Sequence, residues 1–263
     1  MSRKFKKKFH SRYEVIIHVN EGSDGTFQYI KDNNYLYTFS ETKLGLCSSV
    51  NAASKKSTKD FIIYAHDDMY FLPKWDLILK KEISKLNNNL FYLSGTMMGP
   101  KEHIDFDCGD SYENFNEKKL LNGYTNYNLY DHQGTHWAPH VIHKDLWNKI
   151  DGLDENFDPG FGSDPDLNMR LWQEGVRYFK GINDCKVYHF GSISLRKKKN
   201  LVTNNGARQF LKKWGMSISF FKKHYLRSMQ VFKEPLEEPK KNLSYHFDNL
   251  ICKIKLIFLF IQK

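Results

Sequence analysis

Residues 13–19 (Tyr-Glu-Val-Ile-Ile-His-Val) form a short β-branched run, closed by the turn residues Asn20-Glu21-Gly22-Ser23-Asp24-Gly25. That is the pattern of a buried strand entering a tight loop. Residues 61–65 repeat it, with His66-Asp67-Asp68 at the C-terminal end of the run. After Pro73, Trp75, Leu79, Ile83 and Leu86 fall on one helical face. Residues 90–93 read as a strand ending at Ser94-Gly95, and 144–150 as a short helix stopped near Gly152. Asp164-Pro165, followed by Leu167, Leu171 and Gly175, carries an N-cap acid, an early proline, an apolar stripe and a glycine terminator. Residues 185–190 make a last short strand. Strands alternating with helices predict an α/β domain with a largely parallel sheet. Beyond it, Phe210, Trp214, Ile218, Phe221 and Tyr225 recur at helical spacing, predicting a helix packed on that sheet. With no repeat and no Pro/Ser-rich linker before about residue 195, the chain divides into a basic segment 1–12, a domain 13–200 and a helical extension 201–263.

Composition narrows the classes. Aromatics make up 15% of the 263 residues, too much apolar surface for a charge-solvated disordered chain. Lys and Arg exceed Asp and Glu by +10, a surplus gathered at residues 3–12, at 196–199 and along the C-terminal third. Helix-turn-helix, RNP-like and zinc-finger patterns are all missing, so the charge does not point to nucleic acid. A chain without a run of about 18 apolar residues has no ordinary membrane-spanning helix. The basic N-terminus has no apolar stretch behind it and is not a secretory signal. Cys47, Cys108, Cys185 and Cys252 lack Cys-x-x-Cys spacing, which fits a cytoplasmic protein better than a disulfide scaffold. In the tail, residues 250–263 mix Ile251, Ile254 and an apolar run with Lys253, Lys255 and Lys263. Such a segment either covers the core or lies peripherally in the interface of an anionic membrane.

The candidate chemistry starts at Asp67 and Asp68. Ligands of open α/β sheets bind beyond the carboxyl ends of strands. Adjacent carboxylates there repel one another unless a cation lies between them and their partner, and Mg²⁺ or Mn²⁺ completes its shell with phosphate oxygens. His132, His136, His140 and His143 suggest zinc, but Gly134 and Pro139 interrupt any single helix and no cysteine pair completes a tetrahedral set. A second cluster lies downstream: Asp151-Gly152-Leu153-Asp154-Glu155, then Ser163-Asp164-Pro165-Asp166-Leu167 through Arg170-Leu171 to Gly175, and finally His189.

Taken in order over residues 14–194, these stretches resemble the family 2 glycosyltransferases of the GT-A fold. The family pattern has Asp-Asp-Gly-Ser after one strand, matched by Asn20-Glu21-Gly22-Ser23, and Asp-x-Asp with a later proline, matched by His66-Asp67-Asp68 and Pro73. Gly-Gly-Phe-Asp-Glu, Glu-Asp-x-Asp-Leu-x-x-Arg-Leu and a late His before Ser follow in both. The resemblance implies a Rossmann-like, mostly parallel sheet flanked by helices, with a helical tail. It implies transfer of a sugar from a nucleotide diphosphate to an acceptor hydroxyl in glycan, lipopolysaccharide or capsule assembly, with inversion and with Mn²⁺ or Mg²⁺.

Residue by residue, the resemblance makes Asp68 and His189 the metal ligands and Asp164 the general base. Asn20, Glu21, Asp67 and Asn51 fall to the nucleotide sugar, and His136 and Trp137 to a glycan or lipid-linked acceptor. An acceptor hydroxyl must lose a proton as it attacks, so one carboxylate has to lie within reach of it. The departing diphosphate gains charge that a metal and cations neutralise, and the loop cations Arg196 to Lys199 suit that use. Asp164 before a proline also reads as a helix cap, Asp166 as a structural first-turn acid, and Arg170 as an ion-pairing residue.

Three departures stand out. Residues 1–12 are too few for the strand and helix that open the family's domain, so that first unit is missing from the expected fold. Val50 stands before Asn51 where the family has Arg, and Ser163 replaces the Glu before Asp164. The alternative they raise is a non-catalytic sugar- or nucleotide-binding relative with an incomplete donor pocket.

Overall fold

The computed structural model describes residues 13–191 and 205–261. The basic segment 1–12, Ser192 and the cations Arg196 to Lys199 lie outside the described residues.

The fold is α/β. Strand β1 (Ile16–Asn20), helix α1 (Thr26–Asp32), β2 (Leu36–Ser40) and α2 (Leu46–Ser54) come first, and β1 pairs in parallel with β2. Next are β3 (Phe61–Tyr64), β4 (Met69–Phe71), α3 (Trp75–Ile83), β5 (Phe91–Gly99), β6 (Ile104–Asp105) and α4 (Glu117–Gly123). Then follow β7 (His132–Gln133), β8 (His140–His143), α5 (Lys144–Lys149), α6 (Ser163–Gln173) and β9 (Tyr178–His189). These strands form a second sheet in the order β3-β8-β5-β9-β4, with β6 on β5 and β7 on β9. Strand β5 runs parallel to β9 and β6, whereas β8 and β4 enter antiparallel to their neighbours. The central sheet is therefore mixed. Its antiparallel members are two to four residues long, too short to show a period in the sequence.

Strand β5 shows how the sheet is buried. Phe91 and Leu93 face a cluster with Trp75 and Leu79 of α3, while Tyr92 faces Trp147 of α5 and Leu167, Leu171 and Trp172 of α6. Side chains alternate across a strand, so this run is apolar throughout because both faces are covered by helices. Each such side chain contributes about 1.5–3 kcal/mol of burial. Strand β9 begins seven residues before the expected start at Cys185, because buried charge interrupts its apolar pattern. Lys180, 7% exposed, lies 2.7 Å from Glu82 and 2.9 Å from Asp131. Burial works against the Glu82 carboxylate, but Lys180, Lys85 and Tyr178 hold it down to about 2.

Beyond the sheet, α7 (Gly206–Trp214) ends at Gly215, whose φ of 68° is the left-handed terminator that glycine adopts readily. The periodicity across residues 210–225 is therefore shared by α7, the short α8 (Ile218–Phe220) and a π-turn over Phe221–Tyr225. Helix α9 (Leu243–Ile261) rests Cys252 against Leu211 and Phe220. Its Leu243, Phe247, Leu250, Ile254, Ile257 and Phe258 remain exposed. Among the described residues no helix is long and apolar enough to cross a membrane. All four cysteines are free and buried.

Candidate active site at the end of the central sheet

Strand β3 stops at Tyr64, and the chain then turns through His66, Asp67 and Asp68 into β4. Met69 of β4 lies opposite His189, the last residue of β9, and the Phe190 amide donates to the Asp68 carbonyl at 3.1 Å. This register sets Asp68 Oδ1 3.3 Å from His189 Nε2. His66, Asp68 and His189 each offer a ligand atom within 4.8 Å of the other two. The His66 and His189 rings stand 5.9 Å apart.

Glu102 closes the cluster from the turn after β5. Gly99, with φ of 148°, leaves no room for a side chain, since a Cβ there would come within 2.4 Å of the His189 carbonyl. The Glu102 amide donates to the Gly99 carbonyl, and the Glu102 carboxylate meets His189 Nδ1 at 2.5 Å. Burial disfavours the charged ring of His189, but Asp68 and Glu102 outweigh it and push its pKa up to about 9. Burial instead lowers His66, with only partial opposition from Asp68.

Asp164 is positioned by a different element, helix α6. Helix α6 is capped by Gly162, with φ of 87°, so Asp164 lies in the first turn and is not the cap itself. Burial pushes its carboxyl up to about 7. The surroundings are protein groups: burial raises the hydroxyls of Tyr64 and Tyr92, and the Asp164 charge adds to both. Tyr64 also feels the charges of Asp67 and Asp68. Two residues on, Asp166 is completely buried and engaged by Arg170 at 2.9 Å, Lys213 at 2.7 Å and the Trp214 indole at 2.8 Å. The guanidinium of Arg170 also donates to the carbonyls of Ile150 and Gly152. Asp166 and Arg170 are structural, as their positions in the helix suggest.

The remaining candidates separate. Asp67 is exposed beside the cluster. Asn20 sits at the end of β1, where its Oδ1 accepts from the Leu44 amide at 2.8 Å and the Ser40 hydroxyl at 3.0 Å, and Glu21 is exposed with φ of 60°. Asn51 is engaged within the protein. It is 8% exposed, and its amide bonds both the N–H and the carbonyl of Leu153, at 2.8 and 2.7 Å, as well as Glu155. It ties α2 to the loop before α6, a task the sequence spacing did not distinguish from ligand contact. Trp137 is buried and donates to the Gly95 carbonyl at 2.8 Å, leaving its ring against His103, His132 and His136. His136 is held by the Ser228 hydroxyl at 3.0 Å. His140 is buried against Tyr92, and burial lowers it to about 3. Glu102 was not among the expected residues; it lies in a turn without a motif, and only the tertiary register brings it to His189.

The sequence profile described as Glycosyl transferase family 2 matches residues 3–142. No curated protein matches the chain. Among solved structures, S. aureus TarS aligns at a TM-score of 0.54 and 10% identity over 97% of this chain and 40% of that one. S. aureus TarS 1-349 in complex with UDP-GlcNAc aligns at 0.52 and 13% identity, over 79% and 57%. GalNAc-T7 with UDP, GalNAc and Mn²⁺ gives 0.49 and 14%, over 67% and 37%. The chain spans less than two thirds of each, and the likeness is one of fold.

Proposed function

The chain belongs to glycosyl transferase family 2, and we propose that it transfers a sugar from a nucleotide diphosphate donor to an acceptor hydroxyl, with inversion and with a divalent cation. The observation that carries this reading is the convergence of His66, Asp68 and His189 on one point.

The donor set fits a cation. His189 is 8% exposed, and its Nε2 is buried without a hydrogen bond among the described residues, facing the Asp68 carboxylate. A carboxylate with imidazole nitrogens is a ligand set for Mn²⁺-type ions, and phosphate oxygens complete such shells. When bound, the cation neutralises the charge that gathers on the departing diphosphate. Asp68 and His189 would hold it, and the exposed Asp67 and Glu21 and the half-buried Asn20 are assigned to the nucleotide sugar. Asp164 takes the acceptor proton. A carboxyl raised to about 7 is a stronger base than an ordinary aspartate and is still ionised in useful amount at neutral pH. Trp137 and His136 reach an acceptor only if their packing against His103, His132 and Ser228 opens. The crystal of TarS 1-349 with UDP-GlcNAc supports a uridine diphosphate donor as the first to try.

Calorimetry with UDP and GDP in Mn²⁺, beside a screen of nucleotide-sugar turnover that follows released diphosphate nucleotide, tests the reading. Binding and turnover of one donor are expected. Binding without turnover on any acceptor, or no binding of any nucleotide, overturns the transferase reading and supports the alternative, a non-catalytic sugar- or nucleotide-binding relative with an incomplete donor pocket.

The extension has a second use. The exposed stripe of α9 alternates with Lys253 and Lys255, the arrangement of a helix lying in an anionic membrane interface. The protein would then work peripherally on the cytoplasmic face, close to a lipid-linked glycan. Co-sedimentation with phosphatidylglycerol vesicles should fall when residues 250–263 are removed; equal sedimentation excludes this role.

A further inference from the structure

Resting on the metal-dependent reading above, we propose that His66 is a third protein ligand and that Glu102 positions His189, so that the site takes a first-row transition cation in preference to Mg²⁺. Three observations lead there. His66 brings a ring nitrogen within 4.8 Å of the ligand atoms of Asp68 and His189, making a set of two imidazoles and one carboxylate. Hard Mg²⁺ favours carboxylate and water oxygens, keeps several waters and demands a nearly ideal octahedron. Neutral imidazole is instead a donor for Mn²⁺, Fe²⁺, Co²⁺ and Zn²⁺, and each nitrogen that replaces an oxygen widens the gap in their favour.

Glu102 supplies the second observation. A carboxylate only accepts hydrogen bonds, so its 2.5 Å contact places the proton of the His189 ring on Nδ1. Nε2, which faces Asp68 at 3.3 Å, is then the nitrogen whose proton a bound cation would displace. A carboxylate behind a histidine ligand fixes the tautomer and the ring plane and makes the other nitrogen a better donor. The third observation is that Nε2 is buried without a hydrogen bond among the described residues, in a histidine only 8% exposed. Its contact with the Asp68 carboxylate, at 3.3 Å, is an ion pair without a well-formed hydrogen bond, and a cation shared with Asp68 and His66 would satisfy it better.

The test uses the full chain and the metals alone. Titration followed by calorimetry should give Mn²⁺ and Co²⁺ dissociation constants at least about tenfold below that of Mg²⁺. Bound Co²⁺ should show visible bands of nitrogen coordination. The His66→Asp variant, which restores an all-oxygen pair on that loop, should narrow the Mn²⁺ to Mg²⁺ ratio and weaken those bands. Glu102→Gln should weaken Mn²⁺ by about 10- to 100-fold, and ¹⁵N-histidine spectra of the Zn²⁺-loaded chain should show the Nδ1–H hydrogen bond of His189 weakened. Glu102→Asp should recover part of the affinity. Circular dichroism melting that matches wild type separates these effects from misfolding. Equal Mg²⁺ and Mn²⁺ affinity in wild type, or unchanged Co²⁺ bands in His66→Asp, overturns the proposal while leaving a divalent-metal enzyme intact. An absence of binding by any divalent ion overturns the metal reading itself.

Discussion

Asp164 and Asp166 are two residues apart in the first turn of α6, yet they stand in opposite electrostatic conditions. Asp166 is completely buried and answered by Arg170, Lys213 and Trp214. The charge of Asp164 acts on Tyr64, Tyr92 and Cys47, none of them a cation, and burial pushes its carboxyl up to about 7. A helix N-terminus favours acids at both positions, so the dipole does not distinguish them. The neighbours do. An acid whose charge is fully compensated serves the fold, and one kept uncompensated is available for proton transfer.

The largest effect that would sharpen the contrast is on catalysis. Asp164→Asn should lower the transfer rate by about 10²- to 10⁴-fold, the range for losing a general base. Nucleotide affinity should stay within about twofold, because in this assignment the residue meets the acceptor and not the donor. A folded pKa above the unfolded value means that Asp164 favours the folded state while protonated, and that this benefit is lost as pH rises from about 4 through about 7. The asparagine variant should therefore melt no lower than wild type at pH 8. Full activity in it would remove the base assignment.

The converse change should strike stability. Asp166→Asn leaves the Arg170 guanidinium and the Lys213 ammonium without their shared anion, at a cost of about 3 kcal/mol. That is the low end for breaking a buried pair, since Lys213 is partly exposed. Chemical denaturation measures it. Loss of turnover with no loss of stability would show the two acids to be more alike than their surroundings indicate.

The pH profile gives a smaller and finer test. With the carboxyl near 7, turnover at saturating donor should fall about tenfold for each unit below that value, because only the ionised form accepts a proton. An ordinary aspartate would keep activity flat down to about pH 5. Rates measured in Mn²⁺ at constant ionic strength between pH 5 and 9 decide between them.

These distinctions bear on what a single sequence reveals. The strand ends at Asn20 and Asp68, helix α6 and His189 were legible because turn residues and apolar spacing mark them directly. The order of the motifs also indicated the family. Neighbourhood was not legible. Asn51 kept the family's residue type, but its amide holds Leu153. Glu102 carries no motif, and it reaches His189 only because β5 and β9 run in parallel register and Gly99 permits their close approach. Strand β9 was half hidden because Lys180 is a buried charge whose partners, Glu82 and Asp131, come from distant segments. Local periodicity reports which side chains leave water, not which ones meet.

The smallest predicted effect isolates the contrast best. Lys213 contacts both Asp154 and Asp166 at 2.7 Å and is partly exposed. Lys213→Met keeps the stem that packs near Phe157 and Trp214 and removes only the charge. Arg170 still holds Asp166, so the loss should be about 1 kcal/mol in denaturant, between a surface pair and a buried one. Because burial alone raises Asp164, with no contribution from Lys213, the acidic limb near pH 7 should stay where it is. A limb that moved upward with this variant would mean that Lys213 lowers Asp164 as well. The two acids would then be coupled through one cation, and the first turn of α6 would have to be treated as a single titrating unit.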